Sequence, residues 1–144
     1  MLKNLWLFYG LLSALTASLV AIFGKIGLQT VDANTATAIR SIIMAAFLIL
    51  VVISQGNLSQ IPLILSDKKA ITYIALSGIA GALSWLFYFL ALKYGKVSQV
   101  APIDKLSVVL ATIIAITFLG EKISMMSGCG IALIAIGATL VAIG

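Results

Sequence analysis

Five long apolar runs dominate this sequence and leave few choices of fold. They cover residues 5–24, 36–54, 70–92, 97–119 and 124–143. A helix rises about 1.5 Å per residue, so about 20 residues cross a hydrocarbon core about 30 Å thick. Backbone groups in lipid must pair within the segment, and the alternating pattern of a barrel strand is absent. The sequence therefore predicts an all-α membrane protein, a bundle of five transmembrane helices in a single domain over residues 1–144.

The composition excludes most soluble alternatives. Hydrophobic residues make up 62% of the 144 residues and charged residues 9%, whereas a soluble domain is about half apolar and about a quarter charged. With no histidine and one cysteine, the chain lacks the side chains of His-based acid–base chemistry, zinc fingers and internal disulfides. We therefore expect no enzyme activity, no metal and no cofactor. The basic residues are scattered, which argues against a nucleic-acid partner.

Three charged residues lie within the predicted spans. If the second span began after Arg40, or the fourth after Lys105, about 21 Å of helix would remain, which is too short to cross. Arg40, Asp104 and Lys105 are therefore expected below the membrane surface. A charge costs about 2.5–3.5 kcal/mol at a helix centre, so such residues are candidates for a functional site. Pro102 removes a backbone hydrogen bond and is expected to kink the fourth span just before Asp104.

Counting from the span ends places Arg40, Asp104, Lys105 and Lys25 in the same half of the membrane. This distribution predicts one off-centre polar pocket. The alternative for Arg40 is snorkelling to the surface, and the alternative for Lys25 is a simple helix-end anchor. Asp104 could instead form a structural ion pair with Arg40 or Lys105. Neighbours on a helix point about 100° apart, so Asp104 and Lys105 are not expected to pair.

The third span carries aromatic side chains in the same half of the membrane. Trp85, Tyr88 and Phe89 share one helical face. Trp85 and Tyr88 have polar handles, which Phe87 and Phe89 lack, so we favour the first two as an aromatic wall for a cation or a flat organic solute. The alternative is contact with lipid or an interfacial belt.

The loop lysines give little instruction about orientation. Four lie on the amino-terminal side of the membrane and three on the other: Lys3, Lys68, Lys69 and Lys122 against Lys25, Lys93 and Lys96. Orientation follows the excess of Lys and Arg, and here the excess is one residue. Two readings remain open. The chain inserts both ways round (a dual topology), or the weak bias suffices and places the amino end in the cytoplasm.

Several short motifs lie within the later spans or at their ends. They are Ala91-Leu92-Lys93-Tyr94-Gly95, Val100-Ala101-Pro102, Leu119-Gly120-Glu121-Lys122-Ile123-Ser124, Gly130-Ile131-Ala132-Leu133-Ile134 and Gly137. In these motifs the chain resembles the EamA domain of the drug/metabolite transporter superfamily, and Lys25 and Arg40 fit the pattern of the first half. The resemblance implies a transporter for small solutes. Larger members carry two five-helix repeats in inverted orientation, so this chain would be half of an inverted-repeat transporter and would pair, with an antiparallel homodimer as one arrangement.

These observations lead to two functional hypotheses. The first is a secondary transporter in the cell membrane that moves a small metabolite or drug-like solute by alternating access. Arg40, Lys105 and Lys25 would supply positive potential, and Asp104 a counter-charge or a proton site. The excess of cations leans toward an anionic or zwitterionic solute. The second hypothesis is a non-transporting membrane subunit whose intramembrane charges pair with another membrane protein.

Overall fold

A computed structural model describes residues 5–144, and those residues form helices and turns with no strand. The helices are α1 (Leu5–Gly27), α2 (Ala33–Ser54), α3 (Ile61–Ser66), α4 (Lys68–Tyr94), α5 (Val97–Asp104), α6 (Leu106–Phe118) and α7 (Met125–Ile143). Five segments are long and apolar enough to cross a membrane: α1, α2, α4, α7, and α5 with α6 taken together. The predicted all-α fold with five such helices is therefore confirmed. Lys3, which was counted among the loop lysines, lies outside the described residues.

The helix α2 begins earlier than the sequence pattern predicted. Its first residue is Ala33 rather than residue 36, because the Asp32 side chain caps the helix and accepts a hydrogen bond from the Thr35 N–H at 2.8 Å. A capping carboxylate satisfies an N–H group that has no partner within the helix. As a result Arg40 lies seven residues from the start of α2, about 10 Å along the axis. This depth exceeds the one predicted from residue 36.

The fourth predicted span is interrupted at Lys105. The Lys105 N–H donates to the Pro102 carbonyl at 3.0 Å, and the Val108 N–H donates to the Lys105 carbonyl at 3.0 Å. This three-residue spacing is that of a tighter 3₁₀ turn. Pro102 has no N–H and its ring crowds the carbonyl four residues earlier, which weakens the helix at this level. The break falls just after Asp104, whereas the sequence predicted a kink just before it.

The chain divides into two compact units. Of the described residues, one unit contains those up to Lys25 together with Tyr94–Gly144, and within it α7 packs against both α5 and α6. The turn that joins α6 to α7 depends on Gly120, which has a φ of +69°. Residues with a Cβ rarely adopt this left-handed conformation. The Glu121 N–H then donates to the Ala115 carbonyl at 3.2 Å, which closes the end of α6.

The other unit comprises Ile26–Lys93. Between α2 and α4 the chain forms a 3₁₀ helix (Asn57–Gln60) and the short helix α3, which has Pro62 in its first turn. Proline is favoured there because its missing N–H would be unpaired in any case. The Asp67 side chain then accepts hydrogen bonds from the Lys69 and Ala70 N–H groups at 3.0 and 3.1 Å, which starts α4.

Few side chains are buried within the described chain. The buried apolar residues are Ala21, Leu28, Ala33, Phe89, Leu92 and Ala138. Large apolar side chains on the outside of the helices are exposed, including Phe118 at 85% and Met125 at 90%. An apolar surface of this extent is covered by lipid or by another protein chain. This distribution of exposed apolar side chains is typical of a protein embedded in a lipid bilayer.

Candidate functional site

Arg40 rests on an aromatic platform formed by α4. Its guanidinium carbon lies 3.7 Å from the centroid of the Trp85 ring and 4.7 Å from that of Phe89. The Trp85 and Phe89 rings are stacked at 5.8 Å with an interplanar angle of 28°. Tyr88 meets both rings edge to face at 5.8 and 5.9 Å. A guanidinium this close to an indole face is held by the negative face of the ring, in a cation–π interaction.

The local sequence explains why α2 presents Arg40 to α4. Ala33, Thr37 and Arg40 recur at helical spacing and share one face. Ala33 and Thr37 are buried, and the Thr37 hydroxyl is satisfied because it donates to the Ala33 carbonyl at 2.7 Å. On α4, Trp85, Phe89 and Leu92 follow the same spacing, and the last two are buried. The α2 face therefore carries two small buried residues and then the long Arg40 side chain, which contacts the large rings on the α4 face.

Two guanidinium nitrogens of Arg40 are buried without a hydrogen-bond acceptor. Nε and Nη1 are closed to solvent, and neither finds a partner among residues 5–144. A buried donor that is left unpaired costs about 1–3 kcal/mol, and more when the group is charged. The aromatic rings offset part of this cost by about 0.5–2 kcal/mol but accept no conventional hydrogen bond. Because neither nitrogen is accessible in this conformation, an anion could pair with them only after the Arg40 side chain moves.

A cleft of about 540 Å³ runs along the same part of α2. Its walls are mostly apolar, with a carboxylate and a guanidinium, and are formed by Val31, Asp32, Thr35, Ala36, Ile39, Arg40 and Ile43. Ligand pockets for small organic molecules have volumes of about 300–1,000 Å³. The cleft is therefore large enough for a small organic solute, with opposite charges at two levels of its wall.

Asp32 carries a stable negative charge at one end of this cleft. Hydrogen bonds from the Thr35 N–H and, to a smaller extent, the Thr35 hydroxyl lower the pKa of the Asp32 carboxyl. Those bonds measure 2.8 and 2.9 Å. Both stabilise the ionised form. Asp32 is therefore a carboxylate at neutral pH.

Asp104 and Lys105 form an ion pair, so the prediction that these neighbours would not pair was wrong. The Lys105 Nζ lies 3.2 Å from the Asp104 Oδ2. The prediction assumed a continuous helix. The chain turns at Lys105 and its flexible side chain reaches back, which relaxes the 100° separation. The pair is open to its surroundings, with side chains 34% (Asp104) and 56% (Lys105) exposed.

Lys25 makes a tertiary contact. It lies within α1, which continues to Gly27, and so it does not end the helix as the sequence suggested. The Lys25 Nζ donates to the Gly95 carbonyl at 2.8 Å. Gly95 lies in the turn between α4 and α5. Lys25 therefore connects the end of the first span to that turn.

The structure brings some of the predicted site residues together. Arg40 lies against Trp85, which contacts Tyr88, and Asp104 lies beside Lys105. A single pocket that includes both groups and Lys25 stays a prediction. Among residues 5–144, no three His, Cys, Asp or Glu side chains are grouped so that they could hold a metal ion.

Sequence reasoning missed two residues of this region. Phe89 was ranked below Trp85 because it lacks a polar group, yet the Arg40 guanidinium lies over both rings. Its spacing of four residues from Trp85 was the available signal. Asp32 was left outside the second span, although an Asp immediately before a helical segment is typical of an N-cap.

The fold and these charged and aromatic side chains define a multi-pass integral membrane protein. Comparison with known proteins narrows the class. The EamA-like transporter family matches residues 4–143. A Sinorhizobium protein described as an uncharacterised transporter in the cobO 3′ region is 41% identical over 141 residues, which cover 96% of each chain. An uncharacterised protein of Methanocaldococcus jannaschii is 32% identical over 81 residues, 56% of this chain and 59% of that one. No solved structure matches the chain.

The protein is thus a membrane transporter of the multi-pass helical class. It belongs to the EamA-like transporter family, which confirms the resemblance drawn from the sequence motifs.

Proposed function

We propose that this protein is a secondary transporter that moves a small metabolite or drug-like solute by alternating access, as a homodimer. The observation that carries the proposal is Arg40, an intramembrane cation that lies 3.7 Å from Trp85 and lines a cleft. A charge within a span is costly and is kept where it faces a solute path or a partner. Family membership favours transport over the non-transporting subunit that the charges alone would also permit.

The proposed solute pathway involves Arg40, Trp85 and Tyr88 of one unit, and Asp104, Lys105 and Lys25 of the other. The break at Lys105 supports a hinge between α5 and α6, because a helix bends more easily where regular hydrogen bonds are already lost. Asp104 is the proposed proton site, since it is the intramembrane carboxylate nearest this break and its ion pair is open.

A flux experiment tests the transport function. The purified protein is reconstituted in proteoliposomes, and uptake is screened across amines, amino acids and organic anions, with and without a proton gradient. We expect one class to move, Arg40→Gln to abolish movement, and Asp104→Asn to abolish its dependence on the gradient. Asn keeps the shape of the Asp104 side chain and removes only its charge, and circular dichroism of the variant checks that it stays folded. If Asp104→Asn keeps full proton coupling, Asp104 is not the proton site. If Arg40→Gln keeps full flux, Arg40 is not part of the solute pathway.

The proposed homodimer follows from the exposed apolar helices and the weak lysine bias. Lipid and a second copy would share the coverage of these helices, and an antiparallel pair requires chains inserted in both orientations. Two reporters fused in turn to the carboxyl end test this: a phosphatase active only outside the cytoplasm and a fluorescent protein that matures only inside. Activity from both supports the antiparallel pair. Activity from one alone contradicts it, and native mass spectrometry then tests for a parallel dimer.

A further inference from the structure

The cleft along α2 has an electrostatic direction that restricts what it can bind. Arg40 lies on its wall, and Asp32 lies eight residues earlier at its outer end. Eight helical residues span about 12 Å. A bound molecule therefore meets a carboxylate at one end, whose charge Lys93 offsets in part, and a guanidinium at the other.

The wall between these charges is apolar. Ala36, Ile39 and Ile43 offer hydrocarbon, and Thr35 uses its hydroxyl and its N–H to bind Asp32. Polar groups along the body of a solute would lose their hydration here without gaining partners. An aliphatic or aromatic body is therefore favoured between the two charged levels.

The end of the cleft at Arg40 favours an anion. The Arg40 guanidinium carries a positive charge on the cleft wall, and the rings under it accept no conventional hydrogen bond. An anion that draws the side chain toward the cleft would also give Nε and Nη1 the acceptors that they lack among the described residues. A carboxylate supplies oxygen acceptors, and charge-assisted hydrogen bonds to Arg are among the stronger ones in proteins. Asp32 already has its own partner in Thr35, and its charge repels an anion from the outer end.

We propose that the α2 cleft binds a small solute with a carboxylate on an apolar body, with the carboxylate at Arg40 and the opposite end toward Asp32. This inference rests on the proposed function, because it assigns the cleft to the transported solute. It goes further in naming the chemical group that is recognised, the residue that recognises it and the orientation of the bound molecule. A zwitterion whose ammonium group lies at the far end of the apolar body is one form of this class, in which Asp32 faces the ammonium group.

The two tryptophans of the chain, Trp6 and Trp85, provide a binding assay that does not depend on flux. In a Trp6→Phe background the emission reports on Trp85, whose ring touches the Arg40 guanidinium. The probes are isocaproate (anion), isocaproamide (neutral), isohexylamine (cation) and ε-aminocaproate, a zwitterion whose two charges lie at opposite ends of its carbon chain. We expect saturable changes with isocaproate and none with the amide. Thermal stabilisation by the same probes gives a second measurement that needs no fluorophore.

Matched variants separate Arg40 from general charge effects. Arg40→Gln should weaken isocaproate binding by about tenfold or more, whereas Arg40→Lys should weaken it less. Lys69→Gln removes an exposed lysine outside the cleft and should leave binding unchanged. If ε-aminocaproate binds more tightly than isocaproate and loses this advantage in Asp32→Asn, the class narrows to zwitterions with charges at opposite ends.

Three outcomes would overturn the inference: equal binding of the amide and the carboxylate, preference for the amine, or unchanged isocaproate affinity in Arg40→Gln. Binding and transport can fail independently. If isocaproate binds at Arg40 but the protein moves no solute, the proposed binding site is supported and the proposed transport function is contradicted. If the protein moves only a solute without a carboxylate, the transport function is supported and the proposed carboxylate site is contradicted.

Discussion

The Arg40 guanidinium lies over the Trp85 indole, with its carbon 3.7 Å from the ring centroid. This contact joins α2 to α4 within one unit. It places a positive charge beside a cleft, within a helix that has no other charged residue. The contact should be measurable in stability as well as in binding.

The Arg40–Trp85 contact is expected to contribute a coupling free energy of about 0.5–2 kcal/mol. The measurement is a double-mutant cycle with Arg40→Met and Trp85→Leu, read from unfolding by SDS in mixed micelles. Phe87→Leu is the control partner, because Phe87 lies on the same helix but is 63% exposed. Arg40→Met and Phe87→Leu should be additive. A coupling of zero between Arg40 and Trp85 would mean that the rings only pack beside the guanidinium.

Removal of the Asp32 cap should shorten α2 and destabilise the protein near neutral pH. Asp32→Ala leaves the Thr35 N–H and hydroxyl without the oxygen that they bind at 2.8 and 2.9 Å. The check is the unfolding midpoint of the variant against the parent. Asp32→Asn should lose less, since Asn also caps helices well.

The stabilisation from Asp32 should depend on pH in a defined direction. The folded-state pKa of this carboxyl is lowered, chiefly by the Thr35 N–H. Its contribution is therefore fully present above the unfolded-state pKa of about 4 and is lost as the pH falls through the lower folded-state value. The stability difference between the parent and Asp32→Ala should be constant near neutrality and should shrink below about pH 4. A difference that grows on acidification would contradict the assigned direction.

Lys25→Met should destabilise the protein by about 1.5 kcal/mol, because it removes a charged donor from the Gly95 carbonyl at 2.8 Å. Methionine keeps most of the apolar stem, so the change tests the ammonium group. Lys93→Met is the matched control, because its bond to the Val31 carbonyl is longer, at 3.4 Å, and exposed. The control should stay within about 0.5 kcal/mol of the parent. Equal effects of the two changes would argue against a specific role for the Lys25 contact.

Two glycine-to-alanine changes should have opposite signs. Gly120 has a φ of +69°, so Ala there is strained and should cost about 1–2 kcal/mol. Gly78 lies within α4, with no atom within 4 Å of an added Cβ, so Ala should stabilise the helix by about 0.5–1 kcal/mol. The comparison uses unfolding free energies of the two variants. Stabilisation by Gly120→Ala would show that the turn after α6 tolerates another backbone conformation.

The sequence by itself determined that this chain is a helical membrane protein. Apolar runs of about 20 residues have one economical structure in lipid, because each backbone donor and acceptor must pair within its own segment. The same arithmetic required Arg40, Asp104 and Lys105 to lie inside spans. Both conclusions need only distances along one helix. For the same reason the sequence could rank Trp85 and Tyr88 on one face without knowing what faces them.

Only the tertiary structure decided which charges meet which partners. The ring under Arg40 is 45 residues away in the chain, the turn at Lys105 lets neighbouring side chains pair, and Asp32 moves the start of α2 outward. Each outcome depends on how helices approach one another, or on a local departure from regular helix geometry. Hydrophobic spacing carries little information about either, because every face of a helix in lipid can be apolar.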